Sequence, residues 1–97
     1  MATFITLANF TDQGIRNVKD TTKRAAAFKT AAQKAGVTVK ELYYTMGHYD
    51  LVTIVEAPDE ETATAVLLSA GVLGNIRSQI LRAFSLAEMD KVLAKMP

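Results

Sequence analysis

The sequence predicts an α+β fold, with four short strands and two main helices in the order βαββαβ, followed by a terminal helix. Three observations carry that reading. Apolar residues recur at three- and four-residue spacing in two separate stretches, 15–35 and 63–70. Around those stretches lie β-branched and aromatic runs of strand length. Glycine or proline punctuates the boundaries. With 97 residues there is room for one modest core, so 1–97 is read as a single domain.

Thr3 to Asn9 is rich in Thr, Phe, Ile and Leu and forms the first strand. Thr11 and Asp12 then supply a cap and a first-turn carboxylate. Behind them Ile15, Val18, Thr22, Ala25, Phe28, Ala32 and Ala35 share one helical face, and Gly36 stops a helix of about 23 residues. Val37 to Met46 is the second strand, Gly47-His48 a tight connection, and Tyr49 to Glu56 the third strand, so the pair makes a hairpin. Leu51 to Val55 is almost continuously apolar, as in a central strand. Pro58 ends it. Asp59, Glu60 and Glu61 favour the positive start of a second helix, with Ala63, Val66, Leu67 and Ala70 on one face and Gly71 at its end. Ile76 to Phe84 is the fourth strand. Ser85 and Glu88 fit a capping box for a last amphipathic helix carrying Met89, Val92, Leu93 and Met96. This order is the ferredoxin-like split βαβ pattern, a four-stranded antiparallel sheet with two helices on one face.

Composition narrows the function classes. Lys and Arg number 11 against 10 Asp and Glu, a net charge of +1, which argues against a nucleic-acid or polybasic membrane binder. The absence of cysteine excludes disulfides, thiolate nucleophiles, zinc ribbons and iron–sulfur clusters. One histidine cannot build an ordinary metal site, so neither metal nor cofactor is expected. No window approaches the ~18 apolar residues of a membrane span, and the opening residues do not read as a signal peptide. The cytoplasm is the expected compartment.

Two helices cover only one face of such a sheet. Both faces of every strand are substantially apolar, for example Phe4/Thr6/Ala8 against Ile5/Leu7. A lone chain would expose a large apolar patch, so the expected partner is a second copy, sheet face to sheet face.

Gly47-His48-Tyr49-Asp50-Leu51-Val52, with Tyr44-Thr45-Met46 before it and Val55-Glu56-Ala57-Pro58-Asp59 after it, resembles the signature of the GYD domain family, with His48 at its variable position. Thr6 to Gly14 and Leu73-Gly74-Asn75-Ile76-Arg77 are similar to members of it as well. The resemblance spans essentially the whole chain and implies a dimeric α/β barrel. Relatives in that superfamily include cofactor-free monooxygenases, haem enzymes, isomerases and ligand-sensing domains, none of which transfers by fold alone.

The candidate site groups Asn9, Arg16, Tyr44, His48, Tyr49 and Asp50 as ligand-binding residues. His48 reads as a solvated turn residue or, less economically, as a general base, proton shuttle or haem ligand, since a catalytic histidine needs an orienting partner. Asp is unfavourable in strands, so Asp50 either accepts backbone N–H groups and locks the hairpin or faces a ligand at a cavity mouth. Tyr49 is a core aromatic with a satisfied hydroxyl or a pocket phenol. Tyr43 and Tyr44 point to opposite faces. Arg16 is expected to pair with Asp12 or Asp50, or to hold an anion. Arg77 and Arg82 also fall on opposite faces, with Glu56 or Glu41 as carboxylate partners for the buried one. The functional expectation is an oligomeric module binding a small molecule. The rivals are a cofactor-independent monooxygenase or isomerase, in which the Tyr/Asp/His cluster moves a proton, and a purely structural assembly protein.

Overall fold

A computed structural model describes residues 1–97. Strand β1 (Ala2–Phe10) is followed by a short helix α1 (Asp12–Arg16), a 3-10 turn at Val18–Asp20 and helix α2 (Thr21–Lys34). Strands β2 (Thr38–Tyr44) and β3 (Leu51–Ala57), helix α3 (Glu60–Val72), strand β4 (Ile76–Ala83) and helix α4 (Leu86–Leu93) complete the chain. The sheet order is β2-β3-β1-β4 with every neighbour antiparallel, the split βαβ arrangement expected from the element order.

The single long helix of the sequence reading is two helices with a break. Asn17 sits outside helical geometry, at φ −106° and ψ 26°, and its side-chain amide donates to the Gln13 carbonyl. An Asn side chain that competes for backbone groups favours such an exit. The break turns Ile15 out of the face it was assigned to, leaving it 55% exposed. Strand β3 also starts later than its sequence suggests. Tyr49 and Asp50 belong to the connection, and pairing begins with Tyr44 opposite Leu51.

The core lies between the helices and one sheet face. Phe4, Val55, Ala57, Ala32, Val37, Ala63 and Val66 form it, with Phe28 and Ile80 packed alongside. Thr6 and Thr53, directly opposite each other on β1 and β3, are buried on this same face. The register places Ile5, Leu7, Val52, Ile54 and Leu81 on the opposite face, where no helix lies over them. Tyr43, opposite Val52, extends that face onto β2 and is 55% exposed. The two central rows are apolar except at their outer ends, where Glu41 stands opposite Ile54 and Gln79 opposite Leu7. Polar rows flank them, Asn9 with Arg77 at one end and Thr38, Glu56 and Thr3 at the other.

Outer strand β2 carries a bulge. Its register shifts between Val39 and Glu41, and the intervening Lys40 reaches Glu56 at 3.2 Å. Helix α4 begins with the expected capping box, Ser85 and Glu88 each accepting the other's backbone N–H. Its apolar side, Met89, Val92 and Leu93, is 40–50% exposed. The molecule measures 50 × 31 × 18 Å, long for its size.

Candidate functional site

Chemistry-bearing residues gather at the end of the sheet where β1 leaves and β3 enters. Gly47 turns the β2–β3 connection at φ +98°, a conformation that side-chain-bearing residues rarely adopt. Thr45 N–H donates to the Asp50 carbonyl at 2.8 Å and Thr45 Oγ1 donates to the Tyr49 carbonyl, closing the loop. Asp50 N–H then donates to the Ala8 carbonyl, and Asp50 Oδ2 accepts from Phe10 N–H, each at 2.9 Å. The carboxylate thus continues the β1–β3 ladder one step beyond the last paired residues. Asp50 accepts a backbone N–H, as its structural reading required, but it ties the connection to β1, while Thr45 closes the hairpin loop.

The six candidate residues share this end but not one surface. Asn9 is exposed on the helix-free face, beside Arg77. Tyr49 reaches Gln79, another residue of that face, with a hydroxyl–carbonyl distance of 3.3 Å. On the helix side, Tyr44 Oη meets Thr21 Oγ1 at 3.1 Å. His48 is exposed in the loop and Arg16 exposed on α1. Arg16 takes part in none of the three ion pairs, so the partnership expected with Asp12 or Asp50 is not formed. The Tyr, Asp and His side chains face Thr21, Gln79, Phe10 N–H and solvent, not one another.

Arg82 is the arginine on the helix side, as strand parity required, but its partners differ from those expected. It lies 3.3 Å from Glu88 and 3.9 Å from Glu60, and over the rings of Phe84 and Phe4 at 4.7 and 5.6 Å. Glu56 pairs with Lys40 instead, and Glu41 accepts from Tyr43 Oη. That hydrogen bond and the adjacent negative charge push the Tyr43 phenol up. The Ser85 N–H and then the Arg82 guanidinium hold the Glu88 carboxyl below its ordinary value.

A latch secures the same end from the other side. Thr11 N–H donates to the Asn75 carbonyl at 3.0 Å, Thr11 Oγ1 donates to the Gly74 carbonyl, and Gln13 donates to the Leu73 carbonyl and Asn75 Oδ1. Gly14 is buried against this loop. A Cβ there would stand 2.0 Å from the Asn75 carbonyl oxygen. The two outer motifs of the sequence, Thr11 to Gly14 and Leu73 to Asn75, are thus two halves of one contact.

Between the sheet and the two helices lies a cavity of about 400 Å³. Its floor includes Thr6, Thr53 and Ser78, and its walls include Phe28, Leu67 and the alanines of α2. Arg24 enters from α2. Its Nη1 donates at 2.9 Å to the Asn17 carbonyl, which also accepts the Asp20 N–H, and its Nη2 is buried with no protein acceptor. Thr21 lines the cavity and carries the Tyr44 contact at its rim. Sequence reasoning expected a cavity with Asp50 at its mouth but missed Arg24, and none of the six candidate residues is in the lining. The signal was present: Ala25, Ala27, Ala31 and Ala35 on the helix stand over Thr6, Thr53 and Ser78, side chains too short to fill the space between.

A family model described as the GYD domain matches residues 4–93. The glutamine synthetase and cystathionine beta-lyase binding protein of Thermus thermophilus is 30% identical over 90 residues, 92% of this chain and 95% of that protein. A crystal structure of a protein from Thermus thermophilus superposes with a TM-score of 0.54 at 27% identity, covering 88% of this chain and 95% of the other.

Proposed function

The chain belongs to the GYD domain family, and from that premise we propose that it is an oligomeric binding module, paired with a second copy through the helix-free sheet face and holding a small molecule between sheet and helices. The observation that carries the reading is the apolar double row of Ile5, Leu7, Val52, Ile54 and Leu81. Its surroundings favour a second copy as the occupant. Arg77 stands at one end of the face and Glu56 at the other, so a two-fold pairing can set unlike charges against each other. Light scattering at micromolar concentration tests it. A species of twice 10.5 kDa is expected, reduced to 10.5 kDa by Ile54→Lys with the fold retained by circular dichroism. A wild-type species of 10.5 kDa would overturn the pairing.

A second reading is favoured by the relative whose name records binding to glutamine synthetase and cystathionine beta-lyase. On that reading this chain binds an enzyme through a surface left free after self-pairing. Biolayer interferometry with purified glutamine synthetase tests it directly, with saturable binding expected and a flat response counting against it.

A further inference from the structure

We propose that the cavity between the sheet and helices α2 and α3 is a site for a carboxylate with an apolar body, its head group held by Arg24. The inference rests on the small-molecule reading above and gives that molecule a chemical class.

The cavity, about 400 Å³, falls within the ordinary range for small-molecule sites. Its walls are mostly aliphatic and aromatic, with Phe28, Leu42, Leu51, Val66 and Leu67 among them. A ligand body in contact with them is therefore apolar. Arg24 is the one charged side chain in the lining. It belongs to none of the protein's ion pairs. The Asn17 carbonyl holds one arm of the guanidinium at 2.9 Å. The other arm, Nη2, is buried without an acceptor. A guanidinium with an unsatisfied arm beside an apolar cavity is the group that a planar monoanion completes with a charge-assisted hydrogen bond, once that arm turns from its buried position toward the ligand. A single cation matches one negative charge. A phosphate dianion would bring a second charge against apolar walls with nothing to balance it. Thr21, one helical turn before Arg24, adds a hydroxyl to the same lining. The Thr21–Tyr44 contact places a polar rim at this end of the cavity, where the head group belongs.

Binding of octanoate and of octanol, equal in chain length and differing in charge, tests the proposal by isothermal titration against the wild-type protein, Arg24→Gln and Arg24→Lys. Octanoate is expected to bind the wild type about tenfold more tightly than octanol, as a charge-assisted bond implies. Arg24→Gln should abolish that preference while retaining octanol binding, and Arg24→Lys should keep part of it. Equal affinity of the two compounds for the wild type overturns the carboxylate assignment and leaves the small-molecule reading standing. Equal loss of both in Arg24→Gln overturns it as well, marking Arg24 as structural. Failure of both compounds to bind the wild type overturns the assignment together with the small-molecule reading. Ala70→Leu, which narrows the cavity wall, should weaken both compounds alike; unchanged affinities would place the binding elsewhere and overturn the proposal.

Discussion

Asp50 and Gly14 show how much a single side chain, or the lack of one, decides here. Asp50 accepts a part-buried backbone N–H that no strand partner reaches. Removing the carboxylate leaves that donor unsatisfied, so Asp50→Ala should lower stability by about 1–3 kcal/mol. Urea denaturation measures this, and octanoate binding should stay unchanged. Gly14→Ala meets backbone rather than a yielding side chain. The latch must shift, at a cost of about 1–3 kcal/mol, read as a drop in melting temperature that Asn75 side-chain variants do not reproduce. Asp50 was legible in the sequence because an acidic residue beside a strand asks for a reason. The role of Gly14 was not, because its neighbour lies 61 positions away in the chain and close approach leaves no local mark.

At the scale of elements, the helices carry the acid sensitivity. Asp59 caps α3, and the Thr62 side chain and N–H hold its carboxyl below the ordinary value. Glu88 is held low by Ser85 and Arg82 in the same way. A lowered native value means that protonation favours the unfolded chain. The stabilisation is complete above the ordinary carboxylate range and is lost as pH falls through the lowered values. Melting temperature should therefore decline on acidification into that range, and Asp59→Asn should flatten the decline. Helix α4 packs little against its own chain, so Glu88→Ala should instead speed amide exchange across residues 86–93 as the cap on the Ser85 N–H is lost. Capping signals made α3 and α4 readable from sequence. The break at Asn17 escaped because the apolar spacing in the sequence runs on through it, and periodicity alone cannot see a turn that takes Ile15 off the shared face.

For the molecule as a whole, the strand alternation made the four-strand layer and its uncovered side legible, since both faces of β1 and β3 are apolar. The hollow on the covered side was expected but its lining was hidden, because space is set by what side chains fail to fill across several elements. The bulge at Lys40 bears on how copies can join. A flat, unpaired outer strand invites another chain to add on, and repeated addition at both borders builds fibrils. Lys40 interrupts one border with an extra residue and a charge, leaving β4 as the more regular one. Growth by strand addition then stops once two β4 borders have met. Deleting Lys40, which removes both the extra residue and the charge, should make the protein bind thioflavin T on prolonged warming, while the wild type stays clear.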